Sequence, residues 1–385
     1  MRFIWEHTRF VVESYNGGIP LGHYLKNYFK GHRQLGSRDR KMISEMVYCW
    51  YRCGKVLGDE IGFEERIRAC LFGCETGVRQ VLQFLPEGWK ERKGLDVGSR
   101  IAFLQREGVG FDVERIMSFQ PCLSEGMDRA TWLRSMLQQP RLFIRIRERG
   151  EWVKSILGKH EIAFVDLNED CLSLPNGAPI DKILPPELYV VQDASSQATG
   201  AFFQPKQNET WWDCCSGAGG KSLLLKDIEA TVKLTVSDKR ATILHNLLER
   251  FKLYNHQQPE RIIADVSDES ELYKHMKGRT FDHIICDAPC SGSGTWARTP
   301  EQLYFFEGKF IASFSLLQKE IATNALQYLK KGGRLIYITC SIFRQENEEV
   351  VNDLLENNPI QLEEMKIING TENKADSMFV AVLRK

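Results

Sequence analysis

The spacing of apolar residues changes along the chain, and the change predicts a helical part followed by a mixed part. Over about the first 120 residues, apolar positions recur at the spacing of one helix face, as in Met42, Met46 and Trp50, and strand-like alternation is scarce. From about residue 209 onward, short apolar runs alternate with amphipathic segments. The second pattern is typical of βαβ units and a parallel sheet.

The mixed part is predicted to contain six strands and two long helices. The strands are expected at residues 210–215, 233–237, 261–266, 283–287, 334–339 and 378–383. The helices are expected at residues 240–253 and 310–329, and Gly332 with Gly333 should stop the second one. We therefore predict a doubly wound α/β sheet in this part of the chain.

A shorter segment, residues 129–205, mixes the two patterns. Its elements are expected as a strand at 141–147, a helix near 152–158 and a tight turn at Pro175, Asn176 and Gly177. In the strand, Arg141, Arg145 and Arg147 are spaced so that they share one face. Guanidinium groups in that position suit RNA phosphates, but they are also explained by a lattice of surface ion pairs. The sequence leaves both interpretations open.

Length and charge give only loose limits on the number of domains and on the kind of partner. A chain of 385 residues is longer than one ordinary hydrophobic core, so two or three domains are expected. Lys plus Arg and Asp plus Glu are each 51, so net charge gives no argument for a polyanionic partner. A local basic cluster consists of Lys26, Lys30, Arg33, Arg38, Arg40, Lys41, Arg52 and Lys55. A solvated face and a phosphate-binding patch explain this cluster equally well.

The cysteines and the first residues indicate the cellular compartment. Eleven cysteines, odd in number and irregular in spacing, favour a reducing compartment over a disulfide framework. The pairs Cys49 with Cys53 and Cys70 with Cys74 have the spacing of buried helix faces, and no CxxC motif occurs, so we expect no metal. No run approaches the roughly 20 apolar residues of a membrane span, and the first residues lack an apolar leader segment. We expect a cytoplasmic protein without a membrane partner.

A glycine-rich loop follows the first strand of the mixed part and opens a helix. It contains Cys215, Ser216, Gly217, Ala218, Gly219, Gly220 and Lys221. An ATP-binding loop would need a glycine where Cys215 stands, which excludes it, and a dinucleotide fingerprint would need one where Ser222 stands, which weakens it. S-adenosylmethionine is favoured, because Asp238 and Asp265 fall at or near the ends of the next two strands, where carboxylates suit ribose hydroxyls and an adenine amine. Each carboxylate alone is also explained as a helix cap.

Two cysteines follow the ends of two neighbouring predicted strands. Cys290 lies in the turn after Asp287, and Cys340 follows the next strand, 50 residues later. Ligands of an open α/β sheet lie outside the carboxyl ends of its strands, so both sulfurs should face one crevice. A thiolate that adds to carbon 6 of a pyrimidine activates carbon 5, and Asp287 could stabilise the charge that develops on the ring. For Cys214 and Cys286 we expect burial as small apolar side chains.

At these residues the sequence resembles the Nop2/Sun family of RNA cytosine-5 methyltransferases, particularly its bacterial ribosomal RNA members. The motifs that carry the resemblance are Asp287-Ala288-Pro289-Cys290-Ser291-Gly292, Thr339-Cys340-Ser341 with Glu346-Asn347-Glu348 and Val350-Val351, and Gln192-Asp193 with Ser195-Ser196-Gln197. The early helical region, with Asp39-Arg40 and Met46-Val47-Tyr48, is similar to the NusB-like RNA-binding domain of those members. The resemblance covers most of the chain.

The resemblance implies a role for each cysteine. Cys340 is implied as the nucleophile and Cys290 as the residue that assists product release; the opposite assignment, used by DNA cytosine-5 enzymes, is the alternative. The cofactor loop departs from the family pattern, because Ser216, Gly217 and Ala218 stand where the family usually has Ala-Ala-Pro. We expect a more flexible loop and a changed strength of cofactor binding.

We expect three regions in the chain. These are a helical NusB-like RNA-binding domain at 1–125, a small RRM-like α/β domain at 126–205, and a Rossmann-like class I methyltransferase domain at 206–385 whose last strand runs antiparallel. The implied activity is methyl transfer from S-adenosylmethionine to carbon 5 of a cytosine in RNA, with ribosomal RNA favoured, by a monomer that forms a covalent cysteine adduct. A transfer RNA methyltransferase and a catalytically weak RNA-binding ribosome assembly factor are the alternatives.

Overall fold

The computed structural model describes residues 2–385, which form two compact units. The first unit comprises residues 2–121, 128–140 and 295–308, and the second comprises residues 122–127, 141–294 and 309–385. Segment 295–308 thus belongs to the first unit although the chain on both sides of it belongs to the second. The division into three regions at residues 125 and 205 stays a prediction.

The first unit is helical, which confirms the prediction from apolar spacing. Its α-helices are Arg2–Ser14, Leu21–Gly31, Ser37–Cys53, Phe63–Gly73, Glu87–Lys90, Val97–Arg106, Arg129–Met136 and Pro300–Phe305. The last of them packs against Ser37–Cys53, and Glu301 accepts a hydrogen bond from the backbone N–H of Leu21 at 3.1 Å. Cys49, Cys53, Cys70 and Cys74 are all buried, as their spacing predicted.

The smaller sheet of the second unit has four strands. They are β1 (Leu142–Ile146), β2 (Val165–Asp166), β3 (Cys171–Leu174) and β4 (Tyr189–Val191), in the order β2-β3-β1-β4. All neighbours in this sheet are antiparallel, and the helix Gly150–Lys159 follows β1. The strand, helix and Pro175–Gly177 turn predicted for this segment are confirmed.

The larger sheet has seven strands. They are β5 (Thr210–Asp213), β6 (Lys233–Asp238), β7 (Glu260–Ile263), β8 (Phe281–Asp287), β9 (Leu329–Thr339), β10 (Gln361–Ile368) and β11 (Met378–Arg384), in the order β10-β11-β9-β8-β5-β6-β7. Pairs among β5 to β9 are parallel, and β11 is antiparallel to both of its neighbours. The predicted doubly wound sheet with an antiparallel last strand is therefore confirmed. Strand β10 was not predicted.

Helices cover both faces of the larger sheet. The α-helices of this part of the chain are Ala194–Ala198, Gly220–Ile228, Ala241–Leu253, Glu269–Met276, Phe310–Leu326 and Glu348–Asn357. Adjacent residues of a strand point to opposite faces. Trp211 accordingly packs with Leu247 on one face, and Trp212 packs with Leu326 on the other. Both tryptophans are fully buried, so the middle of the sheet is enclosed on two sides.

The predicted stop of the second long helix is wrong. The helix ends at Leu326, and Gly332 and Gly333 lie inside β9. A Cβ atom on Gly333 would lie 2.5 Å from the backbone oxygen of Asp282 in β8, and the register between β8 and β9 shifts in this region. Gly333 is therefore required by a close approach of two strands and Gly332 by its φ of +80°, and the local sequence pattern does not distinguish either from a helix stop.

The arginines at β1 form ion pairs within the second unit. Arg145 and Arg147 both bind Asp227, at 2.6 and 2.9 Å, and His256 binds the same carboxylate at 2.7 Å. Of the two interpretations left open by the sequence, the ion pairs are the one found for Arg145 and Arg147. Burial opposes ionisation of Asp227, but the hydrogen bonds from His256 and Arg147 and the charge of Arg145 hold its pKa well below the usual range.

Asp227→Asn is expected to lower the free energy of unfolding by about 3–5 kcal/mol at pH 7, because two buried guanidinium groups lose their counter-charge. A depressed carboxyl pKa stabilises the fold above the ordinary Asp pKa of about 3.9, and this contribution is lost as the pH falls. The difference between wild type and variant in urea denaturation should therefore stay nearly constant from pH 7 to about pH 5 and shrink as the pH falls further, from about pH 4 to about pH 2. Asp353→Asn, which breaks the more exposed pair with Lys319, is the control and should lose at most about 1 kcal/mol. A constant difference across pH would contradict the account.

Candidate active site

The crevice for a ligand lies at the carboxyl ends of β5, β8 and β9. Strand β5 sits in the middle of the sheet, with β6 on one side and β8 on the other, so the chain reverses its direction of winding there. Open α/β sheets bind ligands at such a switch point. The glycine-rich loop follows β5, while Cys290 and Cys340 follow β8 and β9.

The glycine-rich loop is tied to the end of β6. The backbone N–H of Ser216 donates to the backbone oxygen of Ser237 at 2.9 Å, and that of Gly217 donates to Asp238 Oδ2 at 3.1 Å. Gly219 has a φ of +82°, in the left-handed region, immediately before the helix Gly220–Ile228. The loop without the family's proline thus has a defined geometry that depends on Asp238.

A cavity of about 270 Å³ opens beside this loop. Its walls include the predicted cofactor residues Cys215, Asp238, Asp265 and Asp287, with Leu317 and Ile321 as apolar walls. Of the predicted loop residues, Cys215 alone contributes to these walls in the part of the chain described. Carboxylates beside an apolar slot match the hydroxyls, cationic sulfonium and flat adenine of S-adenosylmethionine, so the residues fit this cofactor.

Two basic side chains form ion pairs with acidic residues of the cavity. Arg240 donates to both carboxylate oxygens of Asp238 at 2.9 Å, and Lys239 lies 3.2 Å from Asp265. Burial works against ionisation of Asp238, but hydrogen bonds from Arg240 lower its pKa. Sequence reasoning missed Arg240, although its position two residues after a strand-end carboxylate is a usable signal. A cofactor ribose would have to share Asp238 with Arg240.

The side chain of Lys221 extends from the glycine-rich loop toward Asp287 at the end of β8. Its Nζ donates to Ser196 Oγ at 2.9 Å and to Asp287 Oδ2 at 3.2 Å, and the side chain is almost fully buried. Asp213 lies at the end of β5 and accepts a hydrogen bond from Ser222 Oγ at 2.6 Å. Burial raises the pKa of Asp213 to about 7, so this carboxyl is partly protonated at neutral pH.

The sulfur atoms of Cys290 and Cys340 lie 3.3 Å apart. Both side chains are half-buried, whereas Cys214 and Cys286 are fully buried, as expected for small apolar residues. The hydrogen bond to Cys340, followed by burial, raises the pKa of the Cys290 thiol well above its usual value. At this distance the two thiols can share one hydrogen bond, and the raised pKa favours the protonated form of Cys290.

Two further residues join the turns that carry the cysteines, and sequence reasoning did not assign them a function. Glu346 accepts hydrogen bonds from the backbone N–H of Ser291 and from Gln318, and Gln318 also donates to the backbone oxygen of Pro289. Glu346 was noted only as part of a motif. Gln318 lies on the helix Phe310–Leu326, far away in sequence, and carries no local signal.

Gly219→Ala is expected to lower the free energy of unfolding by about 1–2 kcal/mol, because alanine is strained in the left-handed region. Its Cβ would also lie 2.7 Å from Leu247 Cγ. Gly220→Ala is the matched control, since a Cβ there meets nothing within 4 Å and the residue begins a helix, where alanine is favoured. Urea denaturation of the two variants measures the difference. Equal destabilisation by both would contradict the loop geometry described.

A family model described as 16S rRNA methyltransferase RsmB/F matches residues 201–383. Residues 201–383 are thus similar to the RsmB/F methyltransferases. The resemblance inferred from the two cysteine motifs is thereby confirmed for this part of the chain. Ribosomal RNA small subunit methyltransferase B of Shewanella oneidensis is 33% identical over 218 residues, which cover 54% of this chain and 48% of that protein. The chain thus spans about half the length of this relative.

Solved structures share the fold over a larger part of the chain. The crystal structure of PH0851 covers 99% of this chain and 97% of its own, with a TM-score of 0.72 and 19% sequence identity. NSun6 from Pyrococcus horikoshii, determined with SFG, covers 66% of this chain and 94% of its own, with a TM-score of 0.58 and 16% identity. At these identities the likeness is one of fold alone.

Residues 2–385 contain neither a candidate metal-binding cluster nor a helix that could span a membrane. Within this range, no three His, Cys, Asp or Glu side chains are grouped so that they could hold a metal ion. None of the helices in the same range combines the length and the apolar character needed to cross a membrane.

Proposed function

We propose that the chain transfers a methyl group from S-adenosylmethionine to carbon 5 of a cytosine in RNA, with ribosomal RNA as the favoured substrate. The observation that carries the proposal is the 3.3 Å separation of the Cys290 and Cys340 sulfurs beside a cavity with cofactor-like walls. The family match of residues 201–383 supports methyl transfer to RNA. NSun6 with SFG, an analogue of S-adenosylmethionine, supports the choice of cofactor.

Cys340 is proposed as the nucleophile. As a thiolate it forms a bond to carbon 6 of the cytosine, which places electron density on carbon 5. Because the raised pKa of Cys290 favours its protonated form, we infer that Cys340 is the sulfur that attacks. The target base has to leave its stack to reach the crevice, which single-stranded or looped RNA permits most easily.

Asp287 is proposed to stabilise charge on the base, and Cys290 is proposed to assist release of the methylated base. Asp287, held by Lys221, would contact N3 and the exocyclic amine and stabilise the charge that the addition develops on the ring. After methylation the proton on carbon 5 passes to a base, its bonding electrons form the double bond between carbons 5 and 6, and Cys340 leaves carbon 6 as a thiolate. Cys290, or a water that it holds, assists that step.

The cofactor is proposed to bind in the cavity of about 270 Å³ beside the glycine-rich loop. Asp238 and Asp265 would accept hydrogen bonds from the ribose and the adenine, and Leu317 with Ile321 would enclose the ring. When bound there, S-adenosylmethionine supplies an electrophilic methyl group. The remaining loop residues Ser216, Gly217, Ala218, Gly219, Gly220 and Lys221 are proposed to shape this site through their backbone and, for Lys221, through Asp287.

The proposal is tested by incubating the purified full chain with labelled S-adenosylmethionine and unmodified ribosomal RNA. We expect 5-methylcytidine in the digested RNA, identified by chromatography and mass spectrometry. Methylation only of transfer RNA would overturn the favoured substrate while keeping the chemistry. No incorporation into any RNA, together with no cofactor binding by calorimetry, would overturn the enzyme in favour of an assembly factor.

A further inference from the structure

A buried carboxylate lies beneath the two cysteine turns. Glu346 is fully buried, and one oxygen, Oε2, accepts hydrogen bonds from the backbone N–H of Ser291 at 2.8 Å and from Gln318 Nε2 at 3.0 Å. The other oxygen, Oε1, accepts a hydrogen bond from Ser341 Oγ at 2.8 Å. Ser291 directly follows Cys290, and Ser341 directly follows Cys340. One side chain therefore holds both turns.

Three serine hydroxyls extend this link between the turns. The Oγ atoms of Ser291, Ser293 and Ser341 lie 3.1–3.3 Å from one another, and all three side chains are buried. The backbone N–H of Gly294 also donates to the backbone oxygen of Cys340 at 2.8 Å. The spacing of the two sulfurs is thus fixed by a polar network that ends on Glu346.

The charge of Glu346 is not neutralised by an ion pair in the part of the chain described. Burying a carboxylate is unfavourable, and three hydrogen bonds from neutral groups offset this only in part. Besides Cys340, Glu346 is the ionisable group that raises the pKa of the Cys290 thiol. A negative charge at this place disfavours a thiolate nearby, so it favours the protonated form of Cys290.

We propose that Glu346 is a positioning residue that joins the two cysteine turns and, by its negative charge, makes Cys290 the less reactive of the two thiols. The assignment of Cys340 as the attacking sulfur, which rests on the proposed function, then follows from a residue outside the reacting atoms. The neighbouring residues Asn347 and Glu348 have other hydrogen-bond partners. Asn347 binds Thr339 Oγ1 and the backbone oxygen of Ser341, and Glu348 binds Ser124 Oγ and the backbone N–H of Glu125.

The substitution Glu346→Gln removes the negative charge of this side chain but keeps the hydrogen bonds that join the two cysteine turns. The amide oxygen can accept from Ser291 and Gln318 while the amide nitrogen donates to Ser341, so the turns stay joined and only the charge is lost. Alkylation by iodoacetamide, followed by peptide mass spectrometry, reports the reactivity of each cysteine without RNA or cofactor. We expect Cys290 to react about threefold faster at pH 8 in Glu346→Gln, because a larger thiolate fraction outweighs the lower nucleophilicity of a less basic sulfur.

Glu348→Gln is the matched control and should leave the alkylation of Cys290 unchanged. An unchanged or slower reaction of Cys290 in a folded Glu346→Gln protein would overturn the proposal. The wild-type chain gives a second test that requires no variant: Cys290 should be the slower of the two thiols throughout pH 7–9, and faster labelling of Cys290 would also overturn it. Since the assay involves no methyl transfer, its outcome is independent of whether the chain methylates RNA.

Discussion

Cys340→Ala is expected to abolish methyl transfer, a loss of about 10⁴-fold or more, because the proposed bond to carbon 6 forms on Cys340 and the raised pKa of Cys290 disfavours its thiolate. Cys290→Ala is expected to behave differently. The Cys340 thiolate would still add to the base, but the bond would break slowly, so a complex of protein and RNA should accumulate that survives a denaturing gel. This expected difference between two sulfurs only 3.3 Å apart rests on the raised pKa of Cys290, which favours its protonated form.

Incorporation of labelled methyl groups and denaturing gels of both variants measure these effects. Cys122→Ala is the control for loss of a cysteine, since Cys122 is exposed and lies outside the described network, and it should methylate RNA at the wild-type rate. A gel-stable complex with Cys340→Ala rather than with Cys290→Ala would reverse the two roles, as in the DNA cytosine-5 enzymes.

Asp287→Asn is expected to lower kcat by about 10²–10⁴-fold with a small change in the KM for S-adenosylmethionine. The amide cannot give a proton to N3, where negative charge develops when the thiolate adds, and it loses the ion pair with Lys221 at 3.2 Å. Steady-state kinetics with RNA measures both constants, and thermal melting checks that the variant folds.

Asp265→Asn gives the matched comparison for Asp287→Asn, because both carboxylates line the same cavity. Its effect should be mainly a higher KM for the cofactor, since Asp265 lies at the cofactor end, where it pairs with Lys239. If Asp287→Asn also changed KM rather than kcat, Asp287 would be a cofactor ligand and not a partner of the reacting base.

The larger sheet was largely predictable because its strands are buried on both faces and read as apolar runs. Strand β10 was missed for the opposite reason: it lies at the edge of the sheet, is largely exposed, and carries Glu363, Glu364 and Lys366. The meeting of Cys290 and Cys340 followed from the rule for carboxyl ends of parallel strands, and the structure places the two sulfurs together. The roles of the two cysteines stay predictions.

Other features depend on long-range contacts that sequence patterns do not reveal. Glu346 is fully buried, although a glutamate in a polar stretch is usually exposed, and its partners come from three separate segments. Segment 295–308 joins the first unit through contacts such as that of Glu301 with Leu21, 280 residues away in sequence. From the sequence alone, RNA phosphates and ion pairs were equally good partners for Arg145 and Arg147. The structure places Asp227 beside both of them.

Covalent attack by Cys340 is tested most directly by mapping the complex that Cys290→Ala forms with ribosomal RNA. After digestion with nuclease and protease, mass spectrometry identifies the peptide that carries the nucleotide and the atom that carries the methyl group. We predict a cytidine that bears a methyl group on carbon 5, attached to the peptide containing Cys340. A nucleotide on any other peptide, or a methyl group on the exocyclic nitrogen, would contradict the account.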